Sequence, residues 1–141
     1  MAVQLVNVTA SWTPEGGTEV STQCLLEVSG FGSEREVNEL TCLNDETIVA
    51  VGAKKHDTLN LKAPYDETAS AFHETVLASY DANTKGTLKL EFDNKPSGGT
   101  NGTTFSGTAY ITAAKIDNDS KVLTTAFGAK WEGSPTRTKA A

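Results

Sequence analysis

Few side chains in this 141-residue chain could do covalent chemistry, and their spacing does not assemble a site. His56 and His73 are the only two histidines, the groups that titrate nearest neutrality. His56 stands beside Asp57, but neighbouring strand residues point to opposite faces, so the pair offers no shared ligand sphere. His73 falls on the apolar face of a helical pattern, where packing is its expected role. Cys24 and Cys42 lack CxxC spacing and a His-rich neighbourhood, which predicts buried free thiols rather than a disulfide or a metal site. Hydroxyls are abundant, yet GxSxG, HExxH, GxGxxG and the phosphate loop are all missing. GGTNGT, residues 98–103, has neither the lysine nor the following helix that would cradle phosphate, so it reads as turn chemistry. Asn7, Asn101 and Asn118 open N-x-S/T triplets, expected by chance in a Thr-rich chain. The expectation is a protein without catalytic, cofactor-binding or metal-binding residues.

Charge narrows the alternatives. Residues 1–53 hold eight acids against Arg35, a net of -7; the rest hold ten acids and eleven bases, a net of +1; together they give -6. A protein that grips nucleic acid needs a basic stripe, and none is visible. No run is long enough to span a membrane, and MAVQLVNVTA has no basic flank or apolar core, so synthesis in a cytoplasm is expected.

The elements that position these residues are mostly strands. Alternation predicts strands over Val3–Ser11, Glu19–Ser29, Glu34–Leu43, His56–Ala63, Thr87–Asp93, Thr104–Lys115 and Lys121–Trp131, with a hairpin turn at Ile116–Ser120. Asn44–Lys54 is apolar at its centre and reads as a short strand or a long protruding loop. Ala69, Phe72, His73, Val76, Leu77 and Tyr80 share one face of a helix over Glu67–Asp81, with Asp66 as its N-cap and Asn83 or Gly86 as its stop. Asn94–Thr103 is Gly-rich, polar and expected to be mobile in a lone subunit. The fold class is mainly β (α+β), a sandwich or barrel with a single helix in one domain over 1–141. Within it, 1–18 is an N-terminal strand or arm, 43–54 an inter-subunit connection, 66–81 the helix, 94–103 the loop and 132–141 a C-terminal arm.

Two non-catalytic readings follow. A freestanding β-sandwich binding module would want exposed aromatics, for which Trp12, Tyr110 and Trp131 are candidates. A structural subunit completed by its neighbours explains the strand edges and the apolar connection, which would invite pairing in a monomer.

The segment FSGTAYITAAKIDNDSKVLTTAFGAKWEGSPT resembles the closing hairpin of major tail tube proteins of long-tailed, non-contractile (siphovirus-type) bacteriophages. In that family a strand beginning F-x-G, a polar turn and a strand ending near G-x-P close the inner sheet; here those positions are Phe105, Gly107 and Gly133-Ser134-Pro135. VGAKKHDTLNLKAPYDETASAFHETVLASY is similar to the family's strand leading into its helix, so the likeness covers residues 48–136. It implies a hexameric ring whose subunits each add four strands to one barrel, stacked into a hollow tube through which double-stranded DNA is ejected. The implied partners are further copies of the chain, the tail tip or baseplate, the tape measure protein and the tail terminator. DNA passes without specific binding, no membrane or cofactor is involved, and the location is the virion tail after assembly in the host cytoplasm. A tail terminator or head-tail joining ring is the nearest competing assignment.

A barrel of ~24 strands, spaced ~4.8 Å and tilted ~40°, has a backbone radius of ~24 Å and, after ~5 Å of side chain, a bore of ~38 Å. Duplex DNA, about 20 Å across, would fit loosely. The face expected to line that bore holds Lys89, Glu91, Ser106, Thr108, Tyr110, Thr112, Thr124 and Ala126, with Gly128, as a mildly polar, net-acidic wall. Phe127 and Trp131 are expected on the opposite, packed face. Ring stacking and subunit contact are expected at Asp45, Glu46, Ile48, Val49 and Lys54 and at Pro96, Gly98, Gly99 and Asn101.

Overall fold

The computed structural model describes residues 8–23, 25–68, 71–94, 97–119 and 122–140. Among the described residues, ten strands and one helix run in the order β1 (Val8–Pro14), β2 (Val20–Thr22), β3 (Glu27–Ser29), β4 (Ser33–Thr41), β5 (Thr47–His56), β6 (Leu59–Pro64), α1 (Phe72–Ala82), β7 (Lys85–Phe92), β8 (Thr104–Asp119), β9 (Val122–Trp131) and β10 (Thr136–Thr138). Eight strands form one sheet in the order β2-β1-β7-β8-β9-β6-β3, with β10 added beside the start of β8; β4 and β5 form a separate two-stranded sheet.

The large sheet has to curl. Its edge strands β2 and β3 are consecutive in the chain, and the link from Thr22 to Glu27 spans at most ~18 Å. A flat array of that width would put the two edges ~29 Å apart. The concave face therefore closes on a core of Ala10, Trp12, Leu59, Leu61, Leu88, Leu90, Ala109, Ile111, Phe127, Ala129 and Trp131. Helix α1 covers it with Phe72 and Val76. Phe31, Phe92 and Phe105 make a second aromatic cluster, with ring centroids 4.9–6.0 Å apart.

Several expected boundaries move. Glu19–Ser29 is two short strands on opposite edges of the sheet, because the chain must leave β1 and cross to β6. Strand β1 runs through Pro14, which is tolerated at its last paired position opposite Gly86; Met1–Asn7 lie outside the described residues. His56 ends β5 instead of starting the next strand. Ile116–Asp119, expected as a turn, extend β8 and pair with Val122–Thr125 of β9; Ser120 and Lys121 lie outside the described residues.

The helix starts later than its pattern suggests. Its N-cap is Ala71, without a side-chain cap. Asp66 instead accepts the Thr68 N–H at 2.9 Å and stabilises a local turn, a competing use of a short acidic side chain. That hydrogen bond, with one to the Thr68 hydroxyl, holds the Asp66 carboxyl below its ordinary range. Asn83 stops the helix as expected, in the left-handed conformation at φ 54°.

Candidate functional site: a polar sheet face and two protruding hairpins

Cross-strand register sorts the residues of the large sheet into two faces. Lys89 lies opposite Ser106 and Thr87 opposite Thr108, so the β7 and β8 candidates share a face. A bulge in β8 between Ile111 and Ala113 shifts the parity, after which Ala113, Lys115 and Asp117 oppose Gly128, Ala126 and Thr124. All eight lumen candidates therefore belong to the convex side of one sheet, Thr112 sitting in the bulge itself. Phe127 is 1% exposed on the other side, against the His73 ring at 5.5 Å. The expected parity agrees with this register.

The convex face is polar but differs from expectation in two respects. Lys89, Tyr110, Thr112 and Ala126 are exposed and Glu91, Ser106 and Thr108 half-buried, whereas Thr124 is only 2% exposed, its hydroxyl directed at the Asp117 carbonyl at 3.5 Å. The charge is also the reverse of a net-acidic wall. By register the face carries Lys62, Lys85, Lys89, Lys115 and Lys130 against Glu27, Glu91 and Asp117 among the described side chains. The acids gather instead on β4 and its turn.

Strands β4 and β5 form a hairpin, which resolves the strand-or-loop alternative for 44–54: it is a ten-residue strand in a protruding arm. Cys42 N–H donates to the Glu46 carbonyl (2.7 Å), Asp45 N–H to the Cys42 carbonyl (3.0 Å) and Glu46 N–H to Asn44 Oδ1 (3.3 Å). Asp45 takes φ 67°, a conformation that short polar residues tolerate. Every residue of β4 is exposed, and neither outer edge of the hairpin has a strand partner among the described residues. Leu40 and Ile48 pair across one face, Val37 and Val51 across the other, all more than half exposed. A lone two-stranded hairpin is marginal in water, and the apolar residues on both of its faces are left uncovered by the described residues. Asp45, Glu46, Ile48, Val49 and Lys54 are thus brought onto one arm and exposed.

The far end of β8–β9 is a second arm, which the sequence reading took for a turn. Strand β7 pairs β8 only as far as Tyr110, so the β7-side edge of Ile111–Asp119 has no strand partner among the described residues. Ile116 and Leu123 have core-face parity yet lie beyond the core and are exposed. The signal for this arm was present in the apolar residues Ala114 and Ile116, which resume the alternation after the shift at Thr112.

Gly98, Gly99 and Asn101 sit in the 97–103 segment, away from any strand or helix, while Pro96 lies outside the described residues. The base of this loop is clamped: Asn94 Oδ1 accepts the Thr103 N–H at 2.7 Å, and Asn94 Nδ2 donates to Thr103 Oγ1 at 2.9 Å. The two halves of the F-x-G and G-x-P pattern meet. A Cβ on Gly107 would come within 3.2 Å of both the Trp131 ring and Pro135 Cα, so the glycine permits the close approach that brings β10 alongside Ser106.

His73 has a packing role. Its Nδ1 lies 3.1 Å from the Asp66 carbonyl, which only accepts, so Nδ1 donates there, and Nε2 is hydrogen-bonded to Thr125 Oγ1 at 2.7 Å. Trp12 and Trp131 are both buried, leaving only Tyr110 exposed of the three aromatics that a freestanding binding module would want at its surface. Cys42 is a free thiol, and Cys24 lies outside the described residues. Among the described residues, no three His, Cys, Asp or Glu side chains converge to hold a metal.

No protein-family model matches this chain, and no curated protein matches its sequence. Solved structures do match in fold. A chain of the SPP1 tail tube superimposes with a TM-score of 0.70 at 13% identity, covering 94% of this chain and 77% of that one. A chain of the PVC sheath-tube complex, from an extracellular contractile injection system in its extended state, gives 0.70 at 12% identity over 99% and 93%. A chain of the structure described as the sheath/tube terminator of the same system gives 0.71 at 11% identity over 98% and 97%. The chain has the tail tube fold, and these neighbours are structural components rather than enzymes.

Proposed function

We propose that this protein is the structural subunit of a phage tail tube, forming hexameric rings that stack into a hollow conduit for double-stranded DNA. The observation that carries the reading is the β4–β5 hairpin, apolar on both faces and left exposed by the described residues of a tail tube fold. A neighbouring copy is the cover. The unpartnered edges of β4, β5 and distal β8 offer backbone donors and acceptors for pairing between subunits. Residues 48–136 resemble tubes of the non-contractile, siphovirus-type class, which favours that class although sheathed injection tubes share the fold. Tip, tape measure and terminator proteins are the further partners this role requires.

The convex face suits a conduit. A bore of ~38 Å leaves a gap of ~9 Å around the duplex, close to the Debye length of ~8 Å at physiological salt. Lysines scattered among Ser and Thr across such a gap attract phosphate weakly, so DNA moves without being held. In this arrangement Lys89, Glu91, Ser106, Thr108, Tyr110, Thr112 and Ala126 face the lumen. Thr124 supports them from beneath.

A terminator, which caps a tube as a single ring, is the second reading, supported by the likeness to a chain of an injection-system sheath/tube terminator structure. Double substitution Leu40→Ser/Ile48→Ser tests the hairpin's role. Because both side chains are exposed, the monomer's stability should change by less than ~0.5 kcal/mol, while polymers disappear in sedimentation velocity. Undiminished polymerisation by this variant would remove the hairpin from the assembly.

A further inference from the structure

The root of the β4–β5 arm carries a recess that the tube reading leaves without a role. It has a volume of about 370 Å3 and is lined by Lys54, Lys55, His56, Lys130, Trp131 and Ser134. Trp131 is a buried floor, and Lys130 Nζ donates to the His56 carbonyl, bringing the β9 lysine to the hairpin root. Ser134 Oγ lies 3.3 Å from His56 Nε2 on the opposite rim. Lys55 has Glu34 directly across the hairpin and Glu36 at 3.8 Å, whereas Lys54 faces Arg35, a like-charge pair that leaves Lys54 and Lys130 as the positive surplus. Arg35 in turn is turned to the Gly52 carbonyl at 2.9 Å.

The other end of the same arm is acidic. Its turn presents Asp45 and Glu46, both exposed, with Glu39 further down β4. A ten-residue strand such as β5 spans ~33 Å, so the turn stands too far from its own root to neutralise it.

We propose that the basic recess is the socket for the acidic turn of a second copy of this chain, with Asp45 and Glu46 of one subunit meeting Lys54 and Lys130 of the next. The contact is heterologous, root to tip, and such contacts propagate or close into rings instead of stopping at a dimer. Opposite charges at the two ends orient the arm and reject tip-to-tip and root-to-root encounters. This inference rests on the self-assembly reading and adds its polarity and its charged partners.

Charge reversal on each side tests it, by electron microscopy and sedimentation. Asp45→Lys/Glu46→Lys and Lys54→Glu/Lys130→Glu each change exposed side chains, so circular dichroism and thermal melting of each variant monomer should match the parent. Each reversal alone should raise the concentration needed for polymerisation at least about tenfold. The four-fold variant, with both sides reversed, should recover most of that loss, and raising salt should weaken wild-type assembly. Normal assembly by either reversal alone, or failure of the combined variant to recover, overturns the socket. Wild-type protein that never polymerises instead refutes the tube reading itself.

Discussion

At the residue scale, the side chains that looked most like chemistry turn out to be braces. His73 ties the segment before α1, through the Asp66 carbonyl, to Thr125 on β9, and it is 2% exposed. Thr125→Val keeps the volume but removes the hydroxyl, leaving His73 Nε2 buried and unpaired. The expected cost is about 1–3 kcal/mol, read as a lower urea midpoint with an unchanged m-value. An unshifted midpoint would mean that the hydroxyl does not satisfy the imidazole. Trp12 is anchored similarly, donating Nε1–H to Ser79 Oγ at 2.9 Å, which fixes the helix over β1. Sequence spacing placed His73 on a packed face and excluded a metal pair at His56. It could not show the Thr125 partner, 52 residues away, because only register brings the two together.

At the element scale, what was legible followed local periodicity. The core parity of β6, β7 and β9, and the Asn83 stop, depend on neighbours within one element and were readable. The split of Glu19–Ser29 was not, since both halves alternate and only the curl of the sheet sends them to opposite edges. The late helix start was hidden because Asp66 caps a turn as readily as a helix. The distal β8–β9 arm was missed because its Asn and Asp residues read as turn formers. That arm supplies a prediction of its own. Ile116→Ser/Leu123→Ser alters two exposed side chains outside the core, so monomer stability should stay within ~0.5 kcal/mol of the parent. Its sedimentation should show fewer and shorter polymers, and polymers of parental length would assign this arm no place in assembly.

At the scale of the whole molecule, the same features that make the lone subunit awkward make a polymer reasonable. The subunit has a well-filled core, yet it exposes Leu40, Leu43, Ile48, Val49, Val51, Ile116 and Val122 outside it. Its negative charge is concentrated in the first 53 residues and its lysines on the convex face and the hairpin root. Such polarity gives each copy two unlike ends and a smooth polar side. The central claim is that copies of this chain complete one another around and along a hollow axis. Electron micrographs of the concentrated full-length protein test it most directly. The account predicts stacked six-fold rings enclosing a bore of ~38 Å with the Lys89 face inward. Particles that remain single subunits at every concentration, or tubes with Phe127 turned to the bore, would contradict it.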